Sequence, residues 1–392
     1  MLVWLLVTSA FVGHFALHLA IYNRLNATGL RRVTIKRIEK IFIATCIIIP
    51  IFAIFQLIPE GIGGGVSIGF PGQLSWVALA YAMLCLSVLP VLGIPWLLWR
   101  PVLAIEAIDA KRKVRVIGAE AAAGESLAIS RKCRWQAKIP FNQIFQLSVE
   151  ELELPVVGLP ASLDGLRISH FSDLHLTGHV SPRFTRLAVE ESNRWQPDLG
   201  VLTGDLIDKQ LCIAWLREIF DDTAAKSGKY FILGNHDTRV RNPIEVRDAM
   251  TMSGWVDVGG RSEIITINGA LIEVIGNESP WFAAPQMDPL QKATAPLKQS
   301  PFRILLSHSP DQLTWARQRG VGLMLAGHTH GGQGRLPLAG PLLSPSWHGS
   351  RYASGDFYKA PTTMHVTRGL SGVHLLRLNC RPELSLITLR AV

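Results

Sequence analysis

Residues 323–334 read LMLAGHTHGGQG. Four apolar residues run straight into Gly327-His328-Thr329-His330, and the stretch then dissolves into glycine. A continuous apolar run of this kind, bounded by turn residues, reads as a strand covered on both faces. His328 and His330 stand one residue apart at its end, so an extended backbone sends both side chains the same way. Taken alone, the pair fits polar turn residues as well as it fits metal ligands.

Working outward, the same arrangement recurs. LRISHF (166–171) runs into Asp173 and His175; DLGVLTGD (198–205) ends in Asp205, with Asp208 just beyond. KYFILGNHD (229–237) ends in Asn235, His236 and Asp237, and FRILLSHSP (302–310) carries His308. Helical stretches lie between these runs. Ser181-Pro182 supplies an N-cap and a first-turn proline for a helix to about Trp195, and Asn242-Pro243 starts another to about Ser253. LCIAWLREIFDDTAAK and PDQLTWARQRG read as two more. Strands alternating with helices predict an α/β fold with parallel sheet. Ligands bind at the carboxyl ends of such strands, so the five polar clusters are predicted to converge on one rim.

The clusters offer carboxylates, an amide oxygen and imidazoles, with no thiol among them. That donor mixture suits Mn, Fe or Zn better than Ca or a soft metal. There are too many donors for one tetrahedral ion. Two ions sharing a carboxylate, about 3.5–4 Å apart, would use them all. A single strand-end Asp or His is ordinarily a cap or turn residue, but five such clusters in one domain call for another explanation.

SDLH, GDLID, GNHD, SHSP and GHTHGGQ together resemble the five motifs of the calcineurin-like metallophosphoesterase superfamily, over roughly residues 160–392. GHTHGGQ followed by VTRGLSG and NCRPELSLITL resembles a membrane-anchored bacterial subgroup that includes UDP-2,3-diacylglucosamine pyrophosphatases. The resemblance implies a four-layer α-β-β-α sandwich. It implies two divalent ions, Mn first with Fe or Zn open. Asp173, His175, Asp205 and His330 would hold one ion; Asp205 would bridge, and Asn235, His308 and His328 would complete the other. A metal-bridging hydroxide would cleave a phosphate diester or pyrophosphate, with a lipid-linked substrate at the inner leaflet as the first reading; a soluble nucleotide or phosphoprotein substrate, or a membrane sensor or scaffold with structural metals, are the alternatives. His236 would face the substrate as a catalytic residue, with Asp237 orienting its imidazole. Asp208 reads either as a support for this site or as a helix cap.

At 392 residues the chain is long enough for two parts. Three nearly uncharged runs, about 1–22, 41–58 and 75–99, have the length that crosses a hydrocarbon layer. Pro50, Pro90 and Pro95 are compatible with membrane helices. A bundle of soluble helices, or a cleaved signal peptide at the first run, are the alternatives; that run lacks a basic leader. Basic residues cluster between runs one and two (Arg24 to Lys40) and after run three (Arg100, Lys111 to Arg115), while 59–73 has none. The positive-inside rule then gives a multi-pass inner-membrane protein with its large C-terminal part in the cytoplasm. Residues 101–160 read as linker and edge strands, with 101–123 emerging as a helix, and 161–392 as the enzyme domain.

The net charge of +9 follows largely from the juxtamembrane clusters, which attract anionic lipid. No basic stripe with interleaved aromatics is read in the soluble part, which argues against nucleic acid. Five scattered cysteines without a CxxC suit a reducing compartment. His14 and His18 share a helix face and read as packing residues. His179, His348 and Arg351 read as loop residues, Arg351 with the option of a second phosphate. Trp281-Phe282 fits either a substrate tail or the core, and His170, His365 and His374 read as structural.

Overall fold

The computed structural model describes residues 2–57, 76–99, 103–285, 300–372 and 374–392. The chain divides into two compact units, Met1–Ile105 and Glu106–Val392. The loop 59–73 without Lys or Arg, Arg100 and the ends of runs two and three at 58 and 75 lie outside the described residues.

The first unit is helical: α1 (Leu2–Leu25), α2 (Arg32–Leu57), α3 (Trp76–Val88) and α4 (Ile94–Trp99). A π turn, Leu89–Gly93, joins α3 to α4. It contains Pro90, which has no N–H to give the regular ladder. Trp4–Leu25 and Trp76–Trp99 are long and apolar enough to cross a membrane. The run expected at 41–58 forms the later part of α2, whose first turns carry Arg32, Lys36 and Arg37. α1 and α3 meet closely at Gly13, where a Cβ would strike the Cys85 carbonyl, the small-residue contact usual between apolar helices. His14 Nδ1 bonds Tyr81 Oη at 2.6 Å and His18 Nε2 bonds Thr45 Oγ1 at 3.2 Å. The two histidines therefore tie α1 to α3 and α2.

The second unit contains, in chain order, β1 (Lys111–Gly118), α5 (Ala119–Ala123), α6 (Arg131–Ala137), β2 (Gln146–Val156), β3 (Arg167–Phe171), α7 (Pro182–Trp195), β4 (Leu199–Thr203), α8 (Ala214–Phe220) and β5 (Lys229–Ile232). There follow α9 (Pro243–Met252), β6 (Val256–Asp257), β7 (Ser262–Ile267), β8 (Ala270–Asn277), β9 (Phe302–Ser307), α10 (Leu313–Gln318) and β10 (Leu323–Ala326). The hairpin β11 (Arg335–Leu336) and β12 (Gly340–Pro341) precedes β13 (Gly355–Lys359), β14 (Thr362–Val366) and β15 (Glu383–Ala391). They form two mixed sheets, ordered β1-β2-β15-β3-β4-β5-β6 and β13-β14-β10-β9-β8-β7. β3, β4 and β5 run parallel, as do β8, β9, β10 and β14.

The alternation within LMLA shows how the sheets stack. Leu323 and Leu325 point into a core shared with Ile168, Val201 and Ile304, between the sheets. Met324 and Ala326 point the other way, against Leu313 and Ala316 of α10. The outward face of the other sheet, through Phe171, Leu202 and Phe231, packs on α7, α8 and α9. Both faces of β10 are covered, which is why its sequence is continuously apolar. The helix caps are as expected: Ser181 Oγ accepts from the Arg183 amide and Asn242 Oδ1 from the Ile244 amide.

The helix expected over 101–123 is instead β1, followed by the single turn α5. Val114, Val116 and Ile117 favour extended backbone, and antiparallel pairing with β2 realises it. Lys111, Arg112 and Lys113 stand on the outermost strand, where charge blunts a free edge. Of the edge strands expected within 101–160, β2 lies instead inside the sheet, between β1 and β15.

Candidate metal centre

The polar ends of β3, β4, β5, β9 and β10 meet at one place, drawn from both sheets. Asp173, His175, Asp205 and His330 bring ligand atoms together in one group; Asp205, His308 and His328 do so in a second. In the first group His175 Nε2 lies 3.2 Å from His330 Nε2 and 3.4 Å from Asp205 Oδ2. Asp173 Oδ1 lies 3.8 Å from His175 Nε2 and 3.7 Å from His330 Nε2. In the second, His308 Nε2 lies 3.3 Å from Asp205 Oδ1, 3.0 Å from Asn235 Oδ1 and 3.2 Å from His328 Nδ1. Asp205 thus gives one oxygen to each group.

Elementary bonding tests whether this set suits cations. His175 Nδ1 is bonded to Asp208 and His308 Nδ1 to the Thr203 carbonyl, at 2.8 and 2.7 Å. Those acceptors hold the ring protons on Nδ1, so each Nε2 presents a lone pair. Both lone pairs face another imidazole nitrogen at 3.2 Å, an arrangement that a shared cation resolves. Asp205 Oδ2 is buried without a hydrogen-bond partner, a costly state for a carboxylate oxygen unless a cation meets it. Separations of this size are also those of donors about 2.1 Å from one ion. The donor set fits two divalent ions.

The backbone is shaped to this end. Asp173, His175, Asp205, His328 and His330 all have positive φ, between 45° and 70°. Such values cost L-residues energy and persist where the surroundings over-determine them. Close approach needs two glycines: a Cβ on Gly234 would collide with Asp205 Oδ1, and one on Gly327 with Ser172 and Asp173. Burial would raise the Asp205 carboxyl, but the imidazoles of His308, His236 and His175 outweigh it and hold it well below its usual range.

His236 is buried beside the first group, its backbone amide donating to Asp205 Oδ1 at 2.7 Å. Its ring is not oriented by Asp237, contrary to expectation. Asp208 does that, with Oδ1 2.6 Å from His236 Nδ1 while Oδ2 serves His175. Asp237 accepts the amides of Leu206, Ile207 and Gly234, fastening the loop after β4 to the loop after β5. Burial and the nearby Asp205 charge push Asp237 up to about 7. Burial lowers His236 to about 4, against the pull of Asp205 and Asp208.

Three further residues belong here. Arg239 reaches both Asp208 and His236 Nε2, which places a cation at the mouth of the site. Arg377 is buried, and its guanidinium donates to the carbonyls of His330, Arg368, Gly369 and Ser371. A lone arginine in LLRLNC carries no sequence signal for that role. Trp281 packs its ring against His308 and His328, at 5.4 and 4.8 Å between centroids. Phe282 packs on the core and on Arg247. Arg351 pairs with Glu106 at 2.6 Å and takes no place among the clustered donors. His170 and His365 are buried in strands, as expected of structural residues. His374 lies outside the strands.

Comparison with known proteins returns a calcineurin-like phosphoesterase family model over residues 166–332. Uncharacterized metallophosphoesterase YkuE of Bacillus subtilis is 32% identical, over 59% of this chain and 82% of its own length. Phosphodiesterase YaeI of Escherichia coli is 29% identical, over 57% of this chain and 82% of its own. A cattle protein described as a transmembrane protein with metallophosphoesterase domain is 27% identical, over 75% of this chain and 67% of its own.

Proposed function

Since the chain belongs to the calcineurin-like metallophosphoesterases, a family of metal-dependent phosphoester hydrolases, we propose that it is a membrane-anchored two-metal enzyme that cleaves a phosphate diester or pyrophosphate bond. The observation that carries this reading is the division of the Asp205 carboxylate between two donor groups, each completed by imidazoles from the other sheet. Asp173, His175, Asp205 and His330 would hold one ion, and Asp205, Asn235, His308 and His328 the other. Bound ions of this kind bring the pKa of water down to about 7 and neutralise phosphoryl oxygens.

The chain's own residues supply the rest. Asp208 holds the His175 ring so that its lone pair faces the ions, and holds His236 from the other side. Arg239 stands beside His236, and its guanidinium would meet a phosphoryl oxygen or a leaving oxygen with N–H donors. Asp237 keeps the loops bearing Asp205 and Asn235 at fixed spacing. Trp281 packs against the His308 and His328 rings and fixes their positions in the second group. A diester substrate agrees with the name of the Escherichia coli relative.

The anchor would be the first unit, with spans near 1–22, 41–58 and 75–99, residues 101–160 connecting it to a metallophosphoesterase domain at 161–392. The basic loops favour an inner-membrane protein whose second unit faces the cytoplasm. A tethered enzyme meets membrane substrates at high effective concentration, which favours a lipid-linked phosphoester. Manganese is the first metal to try, with Fe and Zn beside it.

The test is turnover of bis-p-nitrophenyl phosphate by the full chain with Mn, alongside metal content. Two ions per chain and turnover are expected, with Asp205→Asn losing nearly all of both. Wild-type-like turnover in Asp205→Asn, or a metal-loaded chain inert toward diesters and pyrophosphates, overturns the reading.

A further inference from the structure

Residue Leu378 is the meeting point of two outlying segments. It bridges Asn142 on one side and Gly334 on the other. Beyond Asn142 lies the stretch 131–141, and beyond Gly334 the hairpin of β11 and β12. The segment that joins them is itself bonded to the metal centre: Arg377 Nη1 and Cys380 Sγ both reach the His330 carbonyl, at 3.3 and 3.2 Å. Both projections are therefore rooted on a segment bonded to the backbone of His330.

Both projections expose what a soluble surface normally hides. Leu338, at the hairpin turn, is fully exposed with positive φ, and Leu336 is more than half exposed. In the other stretch Phe141 is 87% exposed and Trp135 is 68% exposed. Neighbouring apolar groups of this size, left in water, mark an interaction surface.

The charge around them selects the partner. Arg131, Lys132, Arg134 and Lys138 are exposed, and among the described residues none forms an ion pair. No acidic residue occurs between Glu125 and Glu150, or between Asp311 and Asp356, the spans that contain the two projections. Contrary to the sequence expectation, 131–141 does interleave basic and aromatic residues. Four basic residues and a tryptophan would suit nucleic acid as well, but the aliphatic turn beside them offers a phosphate backbone nothing. Tryptophan and phenylalanine among lysines and arginines, next to a bare leucine tip, is the chemistry of a bilayer interface. The geometry points to a membrane-docking face on the second unit: the hairpin turn and the 131–141 stretch enter an anionic lipid surface and bring the His330 rim against it. This deepens the proposed function, because it supplies a route by which a phosphoester in a headgroup reaches the site.

The experiment uses the full chain in nanodiscs, with Leu338→Cys in a Cys46→Ser background carrying an environment-sensitive label. The other native cysteines are buried, so the label is directed to the tip. Met252→Cys, at the end of α9 by the start of β6, is the control. In discs containing phosphatidylglycerol, the label at 338 is expected to shift to the blue and to be quenched by brominated acyl chains, while the label at 252 does neither. Replacing Arg131, Lys132, Arg134 and Lys138 by glutamine should reduce insertion about fivefold per charge removed. A label as wet at 338 as at 252 overturns the inference, as does a shift seen only after a second protein or a nucleic acid is added. Turnover of bis-p-nitrophenyl phosphate on the same samples separates the two readings. Lost insertion with turnover intact refutes only the docking face, and insertion without turnover refutes only the hydrolase.

Discussion

Asp208 divides its two oxygens between His175 and His236, so one carboxylate serves a candidate ligand and a candidate catalytic residue at once. The two imidazoles should respond differently to mutation. His236→Ala removes a ring that is hydrogen-bonded to Asp208 and Arg239 and to no donor of either group, so both ions are expected to stay while turnover falls about 10²–10⁴-fold. Metal analysis beside kcat checks this; stoichiometric metal loss would show His236 to be a ligand. Asp208→Asn leaves His175 free to change tautomer, and metal affinity is expected to fall about 10–100-fold, read by competition with a chelator. The strand ends offered by the sequence do gather in one place, and they were legible because each sits within a few residues of a strong apolar run. The sequence misplaced Asp237 and undervalued Asp208. Both are acids two or three residues past a donor, and only the packing of the β4 and β5 loops decides which one faces an imidazole and which one faces amides.

At the scale of elements, short-range chemistry was readable and cross-sheet chemistry was not. Ser181-Pro182 and Asn242-Pro243 announce their helices because a cap acts within three residues. β1 was hidden because its valines are spaced among lysines and arginines, and its pairing partner lies about thirty to forty residues on. The same strand sends Arg112 to Glu150 of β2 and to Asp356 of β13, and Asp356 accepts from His365 of β14 at 2.6 Å. Arg368 joins Glu150 and Glu383. This buried network ties the two sheets. Burial would raise the carboxyls of Asp356 and Glu383, but His365 and Arg112 hold the first below its usual value and Arg368, His365 and Arg112 the second. A depressed folded pKa gives stability that is present above the ordinary carboxylate range and lost as pH falls through the folded value. Wild type is therefore expected to melt well above Asp356→Asn near neutral pH, the gap closing as pH drops below about 4. A Tm series against pH measures it, and a constant gap would exclude the network as the cause.

For the whole molecule, the centre sits at a seam. His330 from one sheet completes a group begun by Asp173, His175 and Asp205 on the other, and His308 and His328 complete the second. Ions bound there cross-link the sheets and act on folding by mass action: at 100 times Kd, stabilisation of about 2.7 kcal/mol is expected. Adding a chelator should lower Tm, and returning Mn should restore it, by an amount that grows with Mn concentration; a Tm indifferent to metal would place the ions outside this seam. Among the described residues, the first unit contributes no donor to either group. The seam also fixes an order of events during synthesis. A growing chain that has emerged as far as Asn235 carries donors for both groups yet completes neither, because the imidazoles on β9 and β10 have not been made. The complete donor sets therefore arrive late, when LMLAGHTH docks, and a chain stalled before β9 lacks an imidazole from the second sheet in either group.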